Sequence, residues 1–201
     1  MTNILHITSS ILGDNSQSNA ISSKVVNQLL VTHGDSTLVH RDLTEDSIPH
    51  LTGDAIASFN LLEDDLSPSQ RKTLALSNSL IAELQAADVV VLAVPMYNFS
   101  VPSTLKSWID YVARAGITFR YTETGSEGLL KGKKVYAVVT SGGYYKETDK
   151  DSVTPFLKTI FNFLGLDDVE FIHAEGLNIS DETRAKTAQQ VEEKLRFLAA
   201  A

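Results

Sequence analysis

The 201-residue chain reads as an α/β protein with a parallel sheet covered by helices on both faces. Three features predict this. Val89 to Val94 is an unbroken, β-branched apolar run closed by Pro95, the pattern of a strand buried on both faces. Further strand-like runs alternate with segments of helical period, as consecutive strand–helix–strand units require. Hydrophobic residues make up 43% of the chain and charged residues 21%, enough apolar material for one well-filled core. A single domain over residues 1–201 is expected.

In chain order, Asn3 to Thr8 reads as the first strand, followed by a polar turn that leads into a helix. Ile21, Val25 and Leu29 recur at helical spacing, and Gly34 stops that helix. Alternation over Ser36 to Asp42 predicts the second strand. Leu43 to Leu66 has no sustained period and holds Pro49 and Gly53; such long connections are functional or carry a short helix, here Ala55 to Leu61. Ser67-Pro68 opens a helix, with Ser as its cap and Pro at its first position. After the central strand, Val101-Pro102 starts a helix bearing Leu105, Trp108, Ile109 and Val112 on one face, with Tyr111 and Ala115 as apolar surface beside it. An irregular segment runs from Phe119 to Lys133. Val135 to Thr140 and Val169 to Ala174 complete the strands, with a helix near Thr154-Pro155 between them and a last helix capped by Ser180-Asp181.

Composition removes several classes of function. The net charge of -8 and pI near 5.0 oppose nonspecific nucleic-acid binding. No apolar run is long enough to span a bilayer and no secretory leader is visible, so a cytoplasmic protein without membrane association is expected. Cysteine is absent, which excludes thiol nucleophiles and cysteine metal sites. The five histidines show no metal-ligand spacing, so no metal is expected, and His6 and His173 read as structural residues within strands. No acid-base or nucleophilic constellation stands out.

Ligands of open α/β sheets bind at the C-terminal ends of the strands. Three such loops are informative. Ser9 to Ser18 ends at a helix N-terminus, where free N–H groups and the helix dipole attract an anion; Ser16 and Ser18 serve there either as caps or as phosphate donors. Gly13 is the turn's one glycine, so a dinucleotide-type glycine fingerprint is missing, and the hydroxyls suit a terminal monophosphate. Pro95-Met96-Tyr97-Asn98-Phe99 offers a thioether, two aromatic rings and an amide. At Thr140-Ser141-Gly142-Gly143, two glycines either let backbone approach a flat ligand or simply form a plain turn.

Ser9-Ser10-Ile11-Leu12 with Ser16-Gln17-Ser18, then Pro95-Met96-Tyr97-Asn98-Phe99, then Ala113-Arg114-Ala115-Gly116-Ile117-Thr118-Phe119-Arg120-Tyr121-Thr122-Glu123, resemble the FMN-dependent NADH-azoreductase family. These are flavoenzymes that also reduce quinones. The resemblance extends through Thr154-Pro155 and Ala174-Glu175-Gly176. It implies a flavodoxin-like fold, a five-stranded parallel sheet in the order 2-1-3-4-5. It further implies an FMN phosphate held at Ser10, Ser16, Gln17 and Ser18, and flavin contacts from Pro95, Met96, Tyr97, Asn98 and Phe99 and from Thr140, Ser141, Gly142 and Gly143. Phe99, Phe119, Tyr121 and Phe163 would wall a substrate pocket at the interface of a homodimer. The implied activity is ping-pong, two-electron hydride transfer through flavin N5, from NADH, with NADPH as an alternative donor, to quinones and azo compounds. With the flavin carrying the chemistry, no catalytic side chain is needed. A flavodoxin-like electron carrier without a substrate pocket is the alternative reading. Enterobacterial members have Ser-Arg where this chain has Thr140-Ser141, so one guanidinium beside the flavin is lost. Asp14 also sits close to the serine segment, and an inward carboxylate there would oppose a phosphate.

Overall fold

The computed structural model describes residues 1–198. Five parallel strands form the sheet: β1 (Thr2–Thr8), β2 (Ser36–Asp42), β3 (Val89–Pro95), β6 (Lys134–Thr140) and β7 (Asp168–Ala174), with β4 (Phe119–Thr122) and β5 (Gly125–Gly128) forming a separate antiparallel pair. The sheet order is β2-β1-β3-β6-β7. The expected order 2-1-3-4-5 carries different numbers because the extra pair enters the count. Six α-helices are described: α1 (Gln17–His33), α2 (Gly53–Ser58), α3 (Pro68–Ala86), α4 (Ser103–Val112), α5 (Val153–Leu164) and α6 (Asp181–Leu198).

The uninterrupted apolar run of β3 has a direct cause: all seven of its residues are buried. Alternate side chains enter different cores. Val89 and Val91 join Ile4, Tyr136 and Val138 against α1 and α6, through Val25, Leu29, Val191 and Leu195. Val90, Leu92 and Val94 join Leu5, Ile7, Val135 and Ala137 against α3, α4 and α5, through Leu84, Trp108 and Leu157. A strand with helices on both faces has no polar side to display.

Local signals explain the helix ends. Ser67 caps α3 in a reciprocal box with Gln70, and Pro68 occupies the first turn. Gly34, at φ 64, ends α1, and Ser180 Oγ accepts the Thr183 N–H at the start of α6. The long Leu43–Leu66 connection does hold a short helix, at Gly53–Ser58 rather than Ala55 to Leu61.

Two expectations are corrected. The stretch after Phe119 is not irregular: Phe119 pairs with Gly128 and Thr122 with Gly125, across a two-residue turn. The hairpin lies backbone to backbone on the end of α5, where a Cβ on Gly128 would come within 2.0 Å of the Gly165 nitrogen. Nor is Tyr111 apolar surface beside the α4 face: it is buried within the chain together with Leu105, Trp108, Ile109 and Val112. No helix among the described residues is long and apolar enough to cross a membrane.

Candidate active site

The C-terminal loops of β1, β3 and β6 meet in one cavity of about 310 Å³, within the size range of small-molecule sites. Ser10, Ser16 and Gln17 border it from the first loop, Pro95, Met96 and Tyr97 from the second, and Thr140, Ser141 and Gly142 from the third. A hydrogen bond of 3.0 Å between Ser10 Oγ and Tyr97 Oη ties the first loop to the second.

Ser16 is the N-cap of α1, and its Oγ accepts the Asn19 N–H at 3.1 Å. The Ser18 hydroxyl lies 3.0 Å from that of Ser16, and both side chains are buried. The first-turn N–H groups of Gln17 and Ser18 have no intrahelical acceptor, and among the described residues no other group takes them. Such N–H groups at a positive dipole end form an anion-binding arrangement. Asp14 does not border this cavity; it borders a second, larger one of about 490 Å³, together with His6, His40 and Asp42, and only Ser16 is common to the two.

In the second loop, Tyr97 and Ser100 exchange both backbone hydrogen bonds, at 2.9 and 3.0 Å, across a turn in which Asn98 and Phe99 have φ 50 and 60. Left-handed backbone is tolerated by Asn and costly for Phe, so the turn stores strain beside the cavity. The Ser152 hydroxyl donates to the Phe99 carbonyl and holds it there. Asn98 and Phe99 themselves lie outside the cavity lining, and the Phe99 ring is half-exposed against Tyr145, 5.3 Å away.

In the third loop, the carbonyls of Ser141, Gly142 and Gly143 accept N–H groups of Leu177, Asn178 and Gly176. The N–H groups of Gly142 and Gly143 take no acceptor among the described residues. The loop is thus braced through its acceptors and offers its donors. The glycines also make room within the chain: a Cβ on Gly142 would meet Asn178 Nδ2 at 2.6 Å, and one on Gly143 would meet Tyr145 Oη at 2.7 Å.

Phe119, Tyr121 and Phe163 do come together, with ring centroids 5.5 Å apart for Phe119 and Tyr121 and 4.2 Å for Phe119 and Phe163. Their cluster lies on the hairpin and α5, and none of the three borders the cavity within one chain. Conversely, Leu177, Asn178 and Arg184 border it although motif reading passed over them. The signal was weak: a fourth loop, after β7, reaches the cavity only because its N–H groups zip onto the β6 loop. Among the described residues no group of three or more metal-ligating side chains forms. His6 is a core residue, its Nε2 2.8 Å from Ser22 Oγ, and burial lowers its pKa to about 4. Burial also lowers that of His173.

The neutral donors at the start of α1 suit a phosphate monoester, and the Met96–Tyr97 loop and the braced β6 loop suit a flat ring system. A family described by the flavodoxin-like fold matches residues 2–197. An FMN-dependent NADH:quinone oxidoreductase of Alcanivorax borkumensis is 49% identical over 184 residues, covering 92% of this chain and 93% of that one. One from Pectobacterium atrosepticum is 42% identical over 201 residues, covering 100% of both.

The chain belongs to the FMN-dependent NADH:quinone oxidoreductase family.

Solved structures agree with that membership. An azoreductase of Bacillus anthracis superposes with a TM-score of 0.91 at 25% identity, covering 99% of each chain. An FMN-dependent NADH-azoreductase of the same species, solved in complex with FMN, gives 0.87 at 27% identity, covering 98% of this chain and 100% of that one. Membership in this oxidoreductase family also accounts for the missing acid-base machinery, since the cofactor supplies the reactive centre.

Proposed function

We propose that this chain is an FMN-dependent NADH:quinone oxidoreductase that also reduces azo compounds, acting as a single FMN-binding domain. The observation that carries the reading is the cavity itself, in which a monophosphate-type loop is joined to a ring-binding loop by the Ser10–Tyr97 hydrogen bond of 3.0 Å. The names of the relatives, at 42% identity and above, supply the donor and acceptor.

In this reading the N–H groups of Gln17 and Ser18 and the hydroxyls of Ser10, Ser16 and Ser18 hold the phosphate. Pro95 to Phe99 and Thr140 to Gly143 hold the ring system. When bound, FMN supplies a two-electron acceptor and donor that can take hydride from NADH and pass reducing equivalents to a quinone or azo bond. The spare N–H groups of Gly142 and Gly143 provide fixed donors toward negative charge on the ring, without reorganisation. The strained Asn98–Phe99 turn fixes where the ring's neighbours stand.

Phe119, Tyr121 and Phe163 wall the substrate pocket in this reading only if a second copy presents them, so the proposed enzyme is a homodimer with shared sites. Cytoplasmic placement belongs to the same proposal. The relatives favour this enzyme over a carrier of flavodoxin type.

The test is spectroscopic and kinetic. Purified protein should be yellow or take up FMN, anaerobic NADH should bleach it, and initial-rate plots at several quinone concentrations should be parallel. Flavin that NADH leaves oxidised, but a separate reductase bleaches, would favour the carrier instead.

A further inference from the structure

Of the side chains bordering the 310 Å³ cavity, Arg184 alone carries a charge. It is the fourth residue of α6, close to the positive end of a helix dipole that favours anions over cations. A local cost of that kind, kept beside a cavity, points to a use. The guanidinium is also held in place. Its Nε and Nη2 donate to the Leu177 carbonyl at 3.1 and 2.9 Å, and the Leu177 N–H donates to Ser141 at 3.2 Å. Arg184 is therefore built into the braced third loop.

Its charge is not consumed by a close partner. Asp181 lies 3.5 Å from Nη1 and is fully exposed, so water screens that pair. By contrast, Arg41 is engaged by Glu83 and Asp46, and Arg120 by Glu127. Two bonds to Leu177 leave Nη hydrogens of the five-donor fork free for a ligand. The serine loop offers an anion only neutral donors, in a chain of net charge -8. A phosphate dianion in this cavity has one side-chain counterion among the described residues.

We propose that Arg184 is a binding residue for the ligand's phosphate and makes the site prefer phosphorylated flavin over riboflavin. This rests on the FMN reading. The experiment is fluorescence titration of apoprotein with FMN and, separately, with riboflavin, at low and high salt, for wild type, Arg184→Gln, Arg184→Met and Arg184→Lys. Loss of a charge-assisted contact predicts at least about fivefold weaker FMN binding in the Gln and Met variants, riboflavin binding within about twofold of wild type, and substantial recovery in the Lys variant. The salt dependence of FMN binding should flatten in the two neutral variants. Far-UV circular dichroism identifies folded variants, and Met stands in should Gln fail to fold. Equal weakening for both flavins would assign Arg184 to loop packing or to the ring, and unchanged FMN affinity would remove it from the site; either outcome overturns the proposal. Wild-type protein that takes up neither flavin would overturn the FMN reading itself.

Discussion

At Ser16, folding and the proposed binding fall on a single residue. Its oxygen caps α1 by accepting the Asn19 N–H, while its hydroxyl stands beside that of Ser18 at the cavity. Removing both hydroxyls should act twice. The lost cap should cost about 1 kcal/mol of stability, and each lost hydrogen bond to a phosphate should cost roughly 1.5–3 kcal/mol of binding. Ser16→Ala/Ser18→Ala is expected to bind FMN at least about tenfold more weakly and to unfold at lower urea; fluorescence titration and urea melts read the two effects. Full FMN affinity with reduced stability would leave both serines as structural caps. His6 gives a second residue-scale expectation. Burial holds its ring neutral down to about pH 4 in the folded chain, against an ordinary value of 6.5, with His40 stacked 5.0 Å away and acting in the same direction. Its native pKa lies below the unfolded one, so protons favour the unfolded chain. Stability is full above about pH 6.5 and declines toward pH 4, by up to about 3 kcal/mol from this group. His173 adds to the same limb. Unfolding free energies at pH 7 and 4.5 should differ less in His6→Gln than in wild type; an identical pH slope in the two would refute it.

At the scale of elements, the hairpin β4–β5 depends on a contact between two glycines. A methyl group at Gly128 has nowhere to go, since it would sit 2.0 Å from the backbone of Gly165. Gly128→Ala should therefore lift the hairpin from α5 at a cost of about 1–3 kcal/mol, and should speed hydrogen exchange at Leu130, whose N–H donates to Leu164 at 2.9 Å. Unaltered exchange there would mean that the hairpin has another anchor. This element was also the least legible in the sequence. Phe119, Tyr121 and the glycines were visible, but Ser126-Glu127-Gly128 lacks the apolar alternation of a strand, and its pairing depends on the end of a distant helix. The five sheet strands were legible to within a residue: β1, β3 and β6 bury continuous runs, while the edge strands β2 and β7, largely exposed or half-buried, showed in their β-branched and aromatic residues. The three loops that meet at the cavity were legible by their residue types, whereas Asn178 and Arg184 were not: they reach the cavity through pairing of the β6 and β7 loops, which no local pattern announces. The glycines of the third loop were visible as well, but the space they leave for Asn178 and Tyr145 is a packing fact that no local pattern shows.

At the scale of the whole molecule, the two parts of the proposed site lie apart. The candidate cavity sits at the C-terminal ends of the central strands, while Phe119, Tyr121 and Phe163 form their own cluster on the hairpin and α5. If a second copy joins them, light scattering should give a dimeric mass at micromolar concentration. Mixing protein lacking the serines with protein carrying Tyr121→Ala should then yield some hybrid dimers with one site free of both changes, and so restore quinone reduction above either parent; a monomer with full activity would count against shared sites. The hairpin also has a consequence for motion. It is a two-stranded ribbon outside the main sheet, and such a piece is expected to open locally long before strands as deeply buried as β3. In the proposed dimer, the wall over one subunit's flavin would then be able to breathe as a separate cooperative unit, admitting acceptors of different bulk while the bed beneath the cofactor stays closed to exchange.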